Sequence, residues 1–204
     1  MIRMDQTSQP SQEVFLATER LMLRRWRRED IPALLPLIGA REVAATTLRI
    51  PHPYTAEDAD KFLEYCDGVW QKREGARFGI FLRDGERLCG GAGLHGMGEH
   101  CHAELGYWIG VPFWGQGICT EAAREVVRFG FSELKLHRIH SGHFSNNPAS
   151  GRVLRKIGFR HEGILRQHIC KWGEYVDVEL YGLLASEYDA HSKADRPEFQ
   201  GLSS

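Results

Sequence analysis

The chain has 204 residues, with 26 Lys and Arg set against 27 Asp and Glu, for a formal net charge of -1. Its 42% apolar and 26% charged shares are those of an ordinary globular chain, and a chain of this length buries roughly 70% of its unfolded surface without metal or disulfide staples. Balanced charge argues against a polycation that coats nucleic acid, and no run of about 18 apolar residues supplies a membrane helix.

The first 13 residues are rich in Ser, Gln and Thr and lack the apolar stretch of a signal peptide. They read as a weakly ordered tail, as does 191–204, leaving one block at 14–190 without a linker. Leu21 and Leu23 alternate with Met22 and Arg24 as a first strand. Asp30, Pro32 and the run to Ile38 predict a helix that Pro36 keeps short. Thr55 and Asp58 form a capping-box pattern, followed at helical spacing by Ala59, Phe62, Leu63, Cys66 and Trp70. Strands are predicted at 78–82 and 87–94, joined by an Asp84-Gly85 turn. Another strand spans 103–110, with Leu105, Tyr107 and Ile109 on one face. After a glycine-bearing loop, Ala122, Ala123, Val126, Val127, Gly130 and Leu134 mark an apolar helix face. A strand at 136–143, a helix at 147–157 closed by Gly158, and strands at 159–165 and 176–184 complete the block. The pattern β-α-α-β-β-β-α-β-α-β-β predicts an α/β (α+β) mixed sheet with helices on both faces.

Five cysteines, an odd number, form no CxxC pair and point to free thiols in a reducing cytoplasm. His100-Cys101-His102 is the densest group of possible metal ligands. It reads as a hairpin loop, and nothing nearby completes a four-ligand set, so no metal is expected.

The step from strand through Gly115-x-Gly117 into a helix is the most informative segment. Glycine lets backbone approach a ligand closely, and the free N–H groups of a helix start attract an anion such as pyrophosphate. No Gly-Lys-Ser/Thr follows, which excludes a P-loop, and the third glycine of the dinucleotide fingerprint is missing. Downstream, Asn147-Pro148-Ala149-Ser150 opens a helix that Asn147 can cap.

Together these segments resemble the GNAT family of acetyl-CoA-dependent N-acetyltransferases, over nearly all of 18–188. Thr18 to Arg24, Glu104 to Ile109, Trp114 to Gly117, Thr120 to Ala122 and Lys156 to Phe159 are similar to the branch containing ribosomal-protein N-terminal acetyltransferases. The resemblance implies a mostly antiparallel sheet splayed between its fourth and fifth strands. It implies a CoA pyrophosphate site at Gln116, Gly117, Ile118, Cys119 and Thr120, where Cys119 must keep its side chain out of the phosphate path. It implies a pantetheine arm lying in the gap as an added strand, bonded by backbone of Ile109, Gly110 and Val111, with Asn147 on the other side. One of those N–H groups would hold the thioester oxygen as it gains charge.

The same resemblance implies Ser150 as donor to the departing CoA thiolate; its other role is to cap the helix. An α-amine is roughly 10% unprotonated at pH 7 and a lysine amine below about 0.1%, so the acceptor needs a base. Glu104 is one candidate, with a cross-strand ion pair as its alternative role, and His168 is a second. His95, Tyr107 and His143 are lesser contenders. Five arginines between Arg20 and Arg28 suggest either a ribosomal-RNA patch or, as the charge balance favours, an ion-paired polar face. The expected partners are acetyl-CoA and an amine, which a protein N-terminus, an antibiotic, a polyamine or a small metabolite would supply. Nucleic acid and membrane are not expected, and the chain is expected as monomer or homodimer. A non-catalytic acetyl-CoA sensor and an RNA-associated interaction protein are the alternative readings.

Overall fold

A computed structural model describes residues 15–188. The two tails assigned from composition lie outside the described residues. Eight strands form one sheet in the order β1-β2-β3-β4-β5-β6-β8-β7. They are β1 (Phe15–Ala17), β2 (Leu21–Arg24), β3 (Gly75–Leu82), β4 (Leu88–His95), β5 (His102–Ile109), β6 (Arg138–Phe144), β7 (Arg160–Lys171) and β8 (Glu174–Leu184). Every pairing is antiparallel except β5 with β6.

Side chains alternate across a strand, so each strand feeds two layers. Ala76, Phe78 and Ile80 of β3 join Leu94, Leu105 and Ile139 in the larger core. The helix α4 (Ile118–Ser132) covers that face with Ala122, Ala123, Val126 and Val127. Gly130 lets it settle closely, since a Cβ there would sit 2.8 Å from both Ile139 Cδ1 and Leu94 Cδ1. The helix α5 (Pro148–Lys156) adds buried Leu154 to the same layer. Opposite, Phe81 and Leu88 pack with Trp26 against Leu34 and Ile38 of α1 (Ile31–Ile38) and Ala59, Leu63 and Cys66 of α3 (Ala56–Gln71). Each fully buried large apolar side chain contributes about 1.5–3 kcal/mol, so the layers hold the sheet from both faces. Thr55 and Asp58 make the expected reciprocal cap of α3.

Two elements escape the sequence pattern: β1, only three residues long, and α2 (Arg41–Ala45), which has no side-chain cap. β7 also runs to Lys171 rather than ending at Leu165. Register shifts at His161/Gly163 and Leu165/Ile169, together with exposure on both faces, erase its alternation.

The parallel pairing of β5 and β6 is short. It joins only His102 to Arg138, Ala103 to Ile139 and Glu104 to His140. Beyond Glu104 the strands have no paired residues, and the sheet opens. Because β1 precedes the strands legible in the sequence, the gap expected between the fourth and fifth lies between β5 and β6.

Candidate active site

The gap is part of a cleft of about 1380 Å³ that reaches both faces of the sheet. Its geometry follows from strand alternation. Leu105 and Ile109 belong to the core beneath α4, and Tyr107 packs against it. Glu104, Gly106 and Trp108 therefore point to the α1/α3 face, and the cleft touches residues of both sets.

On the α4 side the loop ends in Gly117, whose φ of 78° is left-handed and suits glycine. No side chain caps α4, and the first helical bond is Glu121 N–H to the Gly117 carbonyl, 3.1 Å. The N–H groups of Ile118, Cys119 and Thr120 precede that bond and have no intrahelical acceptor. With Gly115 and Gly117, all three residues line the cleft. Gln116 does not: its side chain bonds the Pro112 carbonyl, and its own carbonyl accepts from Arg20. Burial pushes the Cys119 thiol up to about 12, and the side chain packs with Tyr107 at the core, so it stays neutral. Arg20 is fixed by Glu121 at 2.6 Å, which in turn accepts from Thr18. Exposed Arg152 and Lys156 of α5 line the same half.

The edge of β5 is partly committed. Gly110 N–H donates to the Cys89 carbonyl at 2.8 Å, so even-numbered backbone groups of β5 face β4 and odd-numbered ones face β6. Consistently, the Leu105 carbonyl accepts from buried Ser141 Oγ across the gap at 2.8 Å. Tyr107 and Ile109 thus turn their backbone groups into the opening. The Ile109 carbonyl is held by the Trp114 indole at 2.6 Å. Gly110 and Val111 do not line the cleft, and Phe113 and Trp114 N–H groups occupy their carbonyls.

At the end of the gap Asn147 caps α5, accepting from Ser150 N–H. Ser150 Oγ lies 2.8 Å from the Tyr107 hydroxyl, which also reaches the Ser150 carbonyl at 3.3 Å. Burial drives the Tyr107 phenol well above its ordinary pKa, so it remains a donor. Nearby His143 is buried, with Nδ1–H donating to the Phe144 carbonyl and Nε2 without a hydrogen bond, 3.8 Å from Glu179 Oε2.

On the α1/α3 side Glu104 Oε2 accepts from His95 Nε2 at 3.1 Å. That hydrogen bond holds the Glu104 carboxyl below the usual range, with the Arg49 charge adding to it. His140 is lowered, chiefly by burial, and is neutral. His168 is exposed on β7 and lines the cleft. The floor here is glycine: a Cβ at Gly91 would meet the Trp108 and Trp26 rings at 2.8 and 2.9 Å, and one at Gly106 the His95 ring at 2.9 Å. The run Gly90-Gly91-Ala92-Gly93 inside a strand carries that signal in the sequence, because such glycines mark close approach.

Elsewhere the arginine-rich segment is largely ion-paired. Arg24 grips Asp30 through two bonds of 2.9 and 2.7 Å, Arg25 meets Asp67 at 2.7 Å and Arg28 meets Asp60 at 2.6 Å. All five cysteines are unpaired, and no group of three metal-ligating side chains is assembled among the described residues. His100 and His102 stack at 6.1 Å. No helix among the described residues is long and apolar enough to cross a membrane.

The profile of the acetyltransferase (GNAT) domain matches residues 20–160. An N-acetyltransferase named YoaA from Bacillus subtilis is 34% identical over 170 residues, covering 83% of this chain and 96% of that one. The ribosomal protein uS5 alanine N-acetyltransferase of Escherichia coli is 28% identical, over 54% of this chain and 58% of its own. A ribosomal L7/L12 alpha-N-protein acetyltransferase, solved with coenzyme A, shares the fold at a TM-score of 0.77 and 21% identity, over 84% of this chain and 98% of that one. The chain belongs to the GNAT acetyltransferase family and is an acyltransferase of the N-acetyltransferase type.

Proposed function

We propose that the protein moves the acetyl group of acetyl-CoA to a primary amine by direct attack, with both substrates bound together. One observation carries the reading: the opening between β5 and β6 joins an uncapped helix start on one face to the Glu104–His95 pair on the other. The CoA pyrophosphate fits the N–H groups of Ile118, Cys119 and Thr120, where the helix dipole favours negative charge. The positive rim of Arg152 and Lys156 suits the same anion.

The pantetheine arm lies along β5 and pairs with the outward backbone of Tyr107 and Ile109, one register step before the expected Ile109, Gly110 and Val111. The Ile109 N–H faces the opening and holds the thioester oxygen as it becomes negative. Asn147, at the start of α5, flanks the arm. The Ser150 hydroxyl, aimed by Tyr107, donates to the sulfur as the C–S bond breaks.

From the other face the amine enters over the glycine floor. Glu104 takes its proton, directly or through a water, while His95 keeps the carboxylate ionised and oriented. A carboxylate held low is a weak base, so it serves α-amines better than lysine-type amines, whose ammonium holds its proton more tightly. That fits the relative that acetylates a ribosomal protein at alanine. His168 lies on the exposed wall and is the base to test if Glu104 proves structural. Initial rates with both substrates varied test the scheme. Intersecting double-reciprocal lines are expected; parallel lines would mean a covalent acetyl-enzyme instead.

A further inference from the structure

The amine side of the cleft has a charge pattern that the transfer chemistry does not use. Two carboxylates and three long cations line it. Asp58 is occupied as the cap of Thr55, and Lys61 is paired with Glu57 at 2.6 Å. That leaves Glu104, bonded to His95, and two guanidinium groups, Arg49 and Arg77. Neither arginine makes an ion pair with a described carboxylate. Arg24, Arg25 and Arg28, close by in the fold, all do.

Arg77 is held out toward the cleft by its surroundings. A Cβ on Gly93 would meet its Cγ at 3.2 Å, so its stem leans over the glycine floor. Its guanidinium lies 4.7 Å from the centre of the Tyr65 ring and reaches the Tyr65 hydroxyl only at 3.5 Å. Its Nε is buried without an acceptor. A half-buried cation that faces a cleft and lacks an anion is costly to keep, and a bound carboxylate would relieve it. The register fixes the spacing. Arg77 pairs with Gly93, Gly93 with Gly106, and Glu104 lies two residues along β5. Arg77 and Gly106 are two strand spacings apart, roughly 10 Å between backbones. Arg77 and Glu104 thus line the same face of the cleft, with Gly93 and Gly106 between them, which leaves room for a small group between opposite charges.

We propose that the acceptor is an amine that itself carries a carboxylate, held by Arg77 with help from Arg49, its amine directed to Glu104. The inference rests on the acetyl-transfer reading and adds the class of acceptor. An amino acid and a peptide with an acidic residue beside its N-terminus present the same chemistry. A polyamine presents the opposite charge to both arginines.

The test is acetyl transfer to five amines, followed by CoA thiol release. One arm compares free phenylalanine with phenylalanine amide. The other compares C-terminally amidated peptides beginning Ala-Glu and Ala-Gln. Spermidine is the counter-probe. A preference of about 10- to 100-fold in kcat/KM for the carboxylate partner is expected in at least one arm, the size of a charge-assisted hydrogen bond. The preferred arm identifies whether the acceptor is small or a peptide. R77M keeps the stem over Gly93 and should raise KM for the carboxylate acceptor about 10-fold or more. It should leave the uncharged partner and acetyl-CoA affinity unchanged. R49A, at an exposed site, should do the same more weakly. Equal rates in both arms, an equal R77M effect on charged and uncharged acceptors, or spermidine as best acceptor would overturn the assignment and leave acetyl transfer standing. Acetyl-CoA that binds but acetylates none of these amines would overturn both.

Discussion

Removing the Tyr107 hydroxyl tests whether it aims Ser150. In Tyr107→Phe the ring still fills its place against the core, but the 2.8 Å contact to Ser150 Oγ and the 3.3 Å contact to its carbonyl are lost. The single phenolic proton is shared between them and is worth about 1 kcal/mol net, so the fold should lose about 1 kcal/mol, or roughly 2–4 °C in Tm for a chain of this size. The hydroxyl of Ser150 survives but is no longer oriented, and turnover should fall about 3- to 10-fold, near 1 kcal/mol in barrier. Ser150→Ala removes the donor itself and should cost about 10- to 100-fold, with little recovery at high pH because its deficit concerns the leaving group. If Tyr107 acts through Ser150, the double variant should be no slower than Ser150→Ala alone. The assay is steady-state thiol release, with acetyl-CoA affinity measured beside it and expected to change little. Multiplying losses in the double variant, or full activity in Tyr107→Phe, would refute the coupling.

Other consequences concern both ends of the cleft and the arginine segment. Gly117→Glu strains a left-handed position and sets a negative charge at the helix start, so acetyl-CoA affinity should fall about 10- to 30-fold by calorimetry; an unchanged value would place the pyrophosphate elsewhere. Glu104→Gln should lower turnover about 10²-fold, with partial recovery as rising pH frees the amine; a flat, near wild-type rate from pH 6 to 9 would shift the base to His168. Because the folded-state pKa of Glu104 is depressed, its stabilising effect is present above the unfolded carboxylate pKa and is lost as pH falls below about 4. Acid titration of Glu104→Gln followed by circular dichroism should lack that component. Arg24→Ala removes the countercharge of Asp30, whose side chain is 8% exposed and keeps only partial compensation from the Arg27 N–H, and should cost about 3 kcal/mol in denaturant melts, whereas Arg28→Ala at an exposed pair should cost at most about 1 kcal/mol. Equal losses would show that burial does not separate the two pairs.

Local signals carried much of this fold. Thr55 and Asp58 announce α3 because a capping box is a contact between near neighbours, and Asp84-Gly85 announces the β3–β4 turn for the same reason. β1 is too short to show a period, α2 has no cap to mark it, and β7 bulges twice with both faces exposed. The site divides along the same line. Gly117 and Asn147 are legible because they act on the turn that they begin. The Tyr107–Ser150 contact spans 43 residues, and the Glu104–His95 pair exists only once β4 and β5 are in register. The commitment of the Ile109 carbonyl to Trp114 likewise follows from a folded loop and not from spacing. Arg77 gives no sequence signal at all, since its importance comes from partners it lacks after folding.

In the proposed reaction the two faces of the cleft meet to pass an acetyl group from sulfur to nitrogen. Mass spectrometry of the acceptor after incubation with acetyl-CoA tests it directly, with free CoA thiol quantified in the same sample. One acetylated amine for each thiol released, in an amount that Glu104→Gln and Ser150→Ala both reduce, is the expected result. Tight acetyl-CoA binding with no amine-dependent thiol release from any acceptor would contradict the account and leave the cleft as a binding site alone.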